Sequence, residues 1–454
     1  MDFFRKKVLV VGLGKSGLSA SRWLSQAGAL VTVTDIREEE AFDRKVITEM
    51  SERGISLETG GHNATTFLES DLIVLSPGVP LDIKPLMEAR EKGVPEMGEM
   101  GLAAGLIDIP IVAVTGTNGK STVTDLVGSM MKNAGLAAFV GGNIGTPLMD
   151  YVAEGRRADY AVLEVSSFQL DTMDDFCPDV AIILNISPDH LDRYPDYRAY
   201  VDSKLKIFKN QRDKGHFAIV NDDDEELTRF VPEGDVSLLR YGARKRGNRQ
   251  AFIEGKKIRV SISGKKSIDF SIEKIRLQGR HNLENLMAAI LAGLALGLAP
   301  EVIRKTLESF KGLPHRLELV MQIKGVNFID DSKATNVDAA SRSILSFEEP
   351  VILIAGGRHK GGDYSPLLRA GKGKVKKAIL LGESKSLMAR ALEGSIACSL
   401  AEDMQDAVSQ AFTSAGAGDV VLLAPACSSF DMFEDYTHRG MVFRSAVEGI
   451  NNGG

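Results

Sequence analysis

Short runs of branched apolar residues, each ending in a glycine-rich or polar loop and followed by a helix-like stretch, recur along the chain. A strand period alternating with a helix period predicts parallel α/β sheets. In a first unit the strand candidates are residues 8–11, Leu30–Thr34 and Leu72–Leu75, and the pattern breaks near Met97 at Gly93, Pro95 and Gly98. A second unit opens at 111–114, continues through 160–165 and 180–185, and ends in an Ala- and Leu-rich helix over 282–298. Within it, residues 235–275 read as short strands with basic turns, a peripheral β-meander. After Gly312-Leu-Pro314, a third unit places strands near 326–329, 351–354, 378–381 and Val420–Leu423. The units share a style but no sequence repeat.

Length agrees with this division, since 454 residues are enough for three cores of about 150 each. Apolar residues at 44% and charged residues at 26% describe a soluble globular chain and exclude general disorder. Lys plus Arg total 55 against 61 Asp plus Glu, a net charge of −6, so no basic excess recruits nucleic acid. Cys177, Cys398 and Cys427 are too few and too far apart for a disulfide framework or a zinc cluster, which favours a reducing cytoplasm. Cys427 reads as a small buried residue rather than a reactive thiol. The segment 1–7 and the apolar run after it are too short for a signal sequence or a membrane span.

Two glycine loops carry the chemistry. Gly12-Leu-Gly14-Lys-Ser-Gly17 lies between a strand and a helix, and Asp35 closes the next strand. By itself it suggests a dinucleotide, but any nucleotide diphosphate meets the same requirement for close backbone approach and helix N-terminal N–H groups; tight strand–helix packing without a ligand is the alternative. The second loop, Thr115-Gly116-Thr117-Asn118-Gly119-Lys120-Ser121-Thr122, sets a lysine and a hydroxyl where β/γ phosphates and Mg²⁺ are held. Glu164 ends an apolar strand, where it can reach that Mg²⁺ or simply face solvent. His190, flanked by Asp189 and Asp192, is either a metal ligand or a satisfied structural residue. A nicotinamide-dependent dehydrogenase needs no second phosphate loop and a mechanical ATPase needs no first, so the pair points to a substrate activated by ATP. A non-catalytic nucleotide sensor would leave Glu164 and His190 without a purpose.

In order along the chain, the Thr-Gly-Thr-Asn-Gly-Lys-Ser loop, Gly141-Gly-Asn143-Ile-Gly145, Glu164 with Ser-Ser-Phe-Gln-Leu, Asp189-His-Leu-Asp-Arg193, Lys204, His281-Asn-Leu-Glu-Asn285 and His315-Arg316 resemble the Mur ligases of bacterial cell-wall synthesis. Asp331-Ser-Lys333-Ala-Thr335-Asn336 and Pro425-Ala-Cys-Ser-Ser429-Phe-Asp are similar to the branch that adds D-glutamate, and no Asp-Asn-Pro-Arg motif of the diaminopimelate-adding branch is present. Another Mur ligase or a folylpolyglutamate synthetase-like enzyme is the runner-up.

The resemblance implies a cytoplasmic, monomeric ligase in which ATP phosphorylates the carboxylate of UDP-N-acetylmuramoyl-L-alanine and the D-glutamate amine displaces the phosphate. It implies three domains: a Rossmann-like unit over 1–97 for the UDP substrate, a central phosphate-loop α/β unit over 98–312, and a Rossmann-like unit over 313–454 for the amino acid. ATP falls to residues 116–122 with Asn282, Arg316 and Asp331, and two Mg²⁺ fall to Ser121, Glu164, His190 and Lys204, the lysine carbamylated by CO₂. Lys120, His190 and Lys204 take the catalytic roles. The UDP substrate falls to Ser16, Asp35, Arg37, Ser76, Gly78 and Asn143, and D-glutamate to Lys333, Thr335, Lys360, Ser429, Phe430 and Tyr436. Lys15 and Ile36 depart from the family pattern, which has an apolar residue and a threonine there. Because every ligand is anionic, Arg37, Lys120, Arg193, Arg316, Lys333 and Lys360 are expected to converge on one cleft.

Overall fold

The structure, a computed structural model, describes residues 1–262, 266–275, 277, 279–361 and 363–452. Three sheets follow one another along the chain. The first runs in the order Ser56–Glu58, Leu30–Thr34, Lys7–Val11, Leu72–Leu75, Glu96–Gly98, all parallel. Its strand order reverses beside Lys7–Val11, and the first glycine loop leaves from the carboxyl end of that strand, at the crevice where open α/β sheets take ligands.

The central sheet has nine strands, with Ile111–Thr115 between Tyr160–Glu164 and Val180–Ile183. Residues 235–275 divide differently from a separate meander. Ser237–Gly242 extends the parallel sheet beside Phe217–Asn221, and only Ala251–Glu254, Lys257–Val260 and Ile268–Ser271 form an antiparallel meander, continuous with the same sheet. Residues 263–265 lie outside the described residues. The third sheet runs Glu318–Ile323, Val326–Asp330, Val420–Leu423, Val351–Gly356, Val375–Leu381, Ala397–Leu400, and only its first pair is antiparallel. Residues with near-continuous Val, Ile and Leu form the inner strands because both of their faces are covered by helices.

Packing distinguishes the units. One continuous apolar cluster joins Val8, Val10 and Leu24 of the first sheet's layer to Ala113, Leu163 and Ala218 of the central one, through Met100, Leu102 and Ala103 of the helix Glu99–Ala104. The third sheet has its own clusters on its two faces. The expected boundary at 97/98 therefore falls inside the strand Glu96–Gly98, on an element that leads directly into the shared core. At roughly 1.5–3 kcal/mol for each large side chain buried, the first two units hold together as a single body. The third meets them through polar side chains.

Glu99 lies in the first-to-central joint, 2% exposed, with Oε1 lacking a hydrogen-bond partner. Burial lifts its pKa from 4.5 to about 7, against the opposing pull of hydrogen bonds from the Met149 backbone and Ser16. A carboxyl whose folded pKa is raised binds its proton more tightly in the native state, so stability falls as pH rises from about 4.5 to about 7 and is level above. Glu99→Gln removes this dependence. In urea denaturation across pH, the variant is expected to gain about 1–3 kcal/mol on the parent between about pH 5 and about pH 8, whereas parallel curves would contradict it.

Candidate active site

The second glycine loop, 115–119, leaves the strand Ile111–Thr115 and feeds the helix Lys120–Asn133. Gly119 adopts φ +90°, and a Cβ there would stand 2.3 Å from Asn285 Oδ1, so both conformation and space require glycine. Asn185, at the end of the neighbouring strand, braces the loop from both sides: Asn118 N–H donates to its Oδ1 at 2.8 Å, and its Nδ2 donates to the Asn118 carbonyl at 3.0 Å. Thr117 Oγ1 lies 3.0 Å from the Tyr200 hydroxyl. Such a loop presents backbone N–H groups and a helix N-terminus to an anion.

Two lysines converge on the same carbonyl. Lys120 Nζ donates to Gly116 O at 2.8 Å and to Thr117 O at 3.0 Å, and Lys204 Nζ donates to Gly116 O at 3.1 Å while lying 4.7 Å from the Tyr200 ring centroid. Neither makes an ion pair among the described residues. Burial, above all, lowers the pKa of both; for Lys204, brought well below the usual value, the Lys120 charge is the next cause. Lys204 reaches this position from the helix Tyr197–Leu205.

Glu164, the last residue of the strand Tyr160–Glu164, accepts from Asn143 Nδ2 at 2.9 Å through Oε1. Its Oε2 is buried with no partner, which is costly unless something positive completes it. His190 has φ +56°, and burial lowers its pKa to about 4, so its imidazole is neutral and able to ligate at pH 7. Carboxylate and hydroxyl oxygens suit Mg²⁺, and Glu164, Ser121 and neutral His190 are donors of the kinds that divalent ions take. The His315, Glu318 and Asp330 group also has ligand atoms within 4.8 Å of one another, but each is engaged: His315 Nδ1 with Asp330 at 2.7 Å, and Glu318 with Arg444 at 2.7 Å.

From the third unit come Arg316, Asp331, Lys333, Thr335 and Lys360, all lining the same cleft as residues 117–122, Asn143, Glu164, His190 and Asn282. Arg316 donates to Ser121 Oγ at 3.1 Å. Lys333 Nζ sits 3.7 Å from the Tyr436 ring centroid, and burial, followed by the Arg316 charge, lowers its pKa to about 7. Asp331, hydrogen-bonded by Ser343, is raised to about 6 by burial. Lys360 Nζ is 3.5 Å from Asp189 Oδ1; Gly362 of its loop lies outside the described residues. Ser429 is buried on the loop after Val420–Leu423, and Phe430 points to solvent at 63% exposure, so neither lines the cleft. Cys427 is fully buried, and burial raises its thiol pKa.

The residues expected around a UDP group divide. Asp35 accepts from Leu13 N–H at 2.7 Å and from Arg37 through both oxygens; burial opposes ionisation, but the Arg37 and Leu13 hydrogen bonds bring its pKa to about 2. Both oxygens are thus engaged within the first loop, which weakens the reading of Asp35 as an acceptor for a nicotinamide cofactor's ribose. Ser76 Oγ donates to Gly12 O at 3.0 Å, and Lys15 and Ile36 face solvent. Arg193 donates to Gly78 O at 3.1 Å, and a groove between the first and central units runs past Ser76, Val79, Phe168, Arg193 and Tyr194. Asn143 is not with these residues but beside Glu164. Of the six cations expected together, Lys120, Arg316, Lys333 and Lys360 share one cleft, while Arg37 and Arg193 serve the first unit and its groove.

A polar latch joins the third unit to the phosphate loop, and it has no local signature along the chain. Asp338 Oδ2 accepts from Asn118 Nδ2 at 2.8 Å, and Asn336 Nδ2 donates to Asp189 Oδ2 at 3.0 Å and to Asn118 Oδ1 at 3.2 Å. Along the chain, Asp338 and Arg342 read as an ordinary i,i+4 surface pair.

Comparison with known proteins agrees with this architecture. Family models described as the MurD-like N-terminal domain, the Mur ligase middle domain and the Mur ligase glutamate ligase domain match residues 6–98, 114–293 and 315–427. The UDP-N-acetylmuramoylalanine–D-glutamate ligase of Desulfosudis oleivorans is 45% identical, covering 99% of this chain and 97% of its own. That of Geotalea uraniireducens is 42% identical, over 100% and 99%. The structure of a pseudomurein peptide ligase type C from Methanothermus fervidus superposes with a TM-score of 0.61 at 20% identity, over 98% of this chain and 100% of that one, a likeness of fold. Three consecutive domain matches and full-length identity above 40% place the chain in the Mur ligase family.

Proposed function

We propose that this protein joins D-glutamate to UDP-N-acetylmuramoyl-L-alanine with ATP, releasing ADP and phosphate in peptidoglycan precursor synthesis. The observation that carries the reading is one cleft in which a phosphate loop, a buried carboxylate with one unpartnered oxygen and the Lys333, Thr335 and Lys360 side chains of a separate unit meet. The full-length D-glutamate ligases similar to this chain support it.

The chemistry explains the charges. A substrate carboxylate and a triphosphate repel, so their reaction requires cations fixed at the transferring group. Residues 116–122 hold the phosphates, Lys120 exchanges its carbonyl bonds for phosphate oxygens, and Arg316 reaches the same point from the third unit. Asn282 and Asp331 line the cleft where the rest of the nucleotide would lie. The carboxylate oxygen attacks the γ-phosphorus, ADP leaves, and the D-glutamate amine displaces phosphate from the resulting acyl phosphate. Lys360, Thr335 and Lys333, the last beside the Tyr436 ring, are assigned to the amino acid; Ser429 and Phe430, expected with them, lie on the adjoining loop outside the cleft wall. Ser16, Asp35, Arg37, Ser76 and Gly78 are assigned to the UDP group, with Asn143 nearer the reacting end.

One Mg²⁺ held by Ser121 and Glu164, and a second at His190, would neutralise charge on the phosphates. Lys204 fits this site only as its carbamate: an amine with a depressed pKa adds to CO₂, loses a proton and becomes an anionic oxygen ligand, so that a cation no longer faces Lys120.

Three outcomes test this reading. With ATP and UDP-N-acetylmuramoyl-L-alanine, phosphate release is expected with D-glutamate and not with L-glutamate, diaminopimelate or a folate substrate; release with another acceptor would reassign the enzyme. Carbon-13 bicarbonate should give a carbamate carbonyl signal that is absent in Lys204→Arg, with kcat lower by about 100-fold or more; a parent enzyme indifferent to CO₂ removal would contradict the carbamate. Arg316→Ala should raise KM for ATP about tenfold, and an unchanged KM would remove Arg316 from the nucleotide site.

A further inference from the structure

The largest fully buried side chain among the described residues is an arginine, Arg439, in the helix Tyr436–Asn452. It is 2% exposed, and burial lowers its pKa only to about 10, so it carries its charge at neutral pH. Burying a guanidinium is expensive unless its donors are satisfied. Its three hydrogen bonds all go to uncharged oxygens: Nε to Ser332 Oγ at 2.9 Å, one terminal nitrogen to Ser332 O at 2.7 Å and the other to Cys427 O at 3.2 Å. Ser332 Oγ in turn donates to Tyr436 O at 2.8 Å, tying the arginine's own helix into the same knot.

These acceptors lie at the root of the loops that carry the amino-acid site. Ser332 precedes Lys333 and Thr335, and Cys427 precedes Ser428. The third segment is bound to the second directly: Arg358 N–H donates to Ser428 O at 3.0 Å, and Ser428 N–H to Arg358 O at 3.1 Å, two residues before Lys360. Gly357 packs on the same point, where a Cβ would stand 2.2 Å from Ser428 O and 3.4 Å from the guanidinium. One planar fork therefore sets the spacing of two strand-end loops, and the third is attached to one of them.

We infer that Arg439 is a positioning residue for the amino-acid substrate, holding the segments of Lys333, Thr335 and Lys360 at the separation that two carboxylates require. It touches no substrate. This rests on the assignment of those three residues to D-glutamate made above. A lysine keeps the charge but cannot bridge two carbonyls and a hydroxyl with a rigid plane.

The test uses the full chain with Arg439→Lys and Arg439→Met, checked for folding by circular dichroism, and separate KM values for D-glutamate and ATP. KM for D-glutamate should rise about tenfold or more while KM for ATP stays within about twofold. A loss of general structure would move both, or lower only the melting temperature, and either result overturns the inference. Should both variants fail to fold, Ser332→Ala, which removes one arm and leaves the carbonyl bonds, should raise KM for D-glutamate by about threefold, and no change would overturn it. Lys360→Ala separates the two claims. If it raises KM for D-glutamate and Arg439→Lys does not, the positioning role alone fails; if it has no effect, the site assignment fails and the inference with it.

Discussion

Two ammonium groups, Lys120 and Lys204, donate to one backbone carbonyl, that of Gly116, at the floor of the cleft, where Lys204 is fully buried. Such an arrangement is unfavourable by itself, because like charges are brought together where the dielectric is low, and both pKa values fall. The carbamate proposed for Lys204 relieves it and leaves Lys120 as the cation that meets what the cleft must bind. Each ligand proposed for it is an anion, while the chain has a net charge of −6, so attraction depends on where the cations are rather than on how many there are. Arg316, Lys333 and Lys360 extend the same positive field from the third unit, and the buried, unpartnered Glu164 Oε2 lies where the proposed divalent ion would complete it.

The packing makes that concentration workable. The first and central units share one apolar cluster and behave as one body. The third has separate cores and meets the phosphate loop through Asn118, Asn336, Asp338, Asp189 and Lys360, contacts that water can replace. An interface of this kind separates more readily than an apolar one. The groups proposed for nucleotide and for amino acid therefore lie on two bodies that meet at the cation cluster, and Arg316, donating to Ser121 Oγ, crosses between them.

Much of this was legible along the chain, for reasons that differ by feature. The inner strands are continuous apolar runs, and Leu30–Thr34, Leu72–Leu75 and Val420–Leu423 match the expected bounds. Short edge strands such as Ser56–Glu58 and Ala397–Leu400 lack such a run and went unmarked. The phosphate loop announced itself because glycine, lysine and serine at that spacing have few other reasons to coincide. By contrast Asn185, Asp338, Glu99 and Arg439 act through partners far away in sequence, and each reads locally as a loop amide, a surface charge, a helix-start acid or one more basic residue. Arg37 and Arg193 show the reverse error: charge alone suggested the common cleft, whereas a nearby carboxylate and a glycine carbonyl hold them elsewhere.

The most direct measurement follows one oxygen atom. If the cation cluster exists to bring a carboxylate onto the γ-phosphate, then UDP-N-acetylmuramoyl-L-alanine labelled with oxygen-18 in its carboxylate should pass one labelled oxygen to the phosphate released with each peptide bond formed. Mass spectrometry of that phosphate should find the label. Unlabelled phosphate, with the amide still formed, would show that the carboxylate is never phosphorylated and would contradict the role given to the cleft.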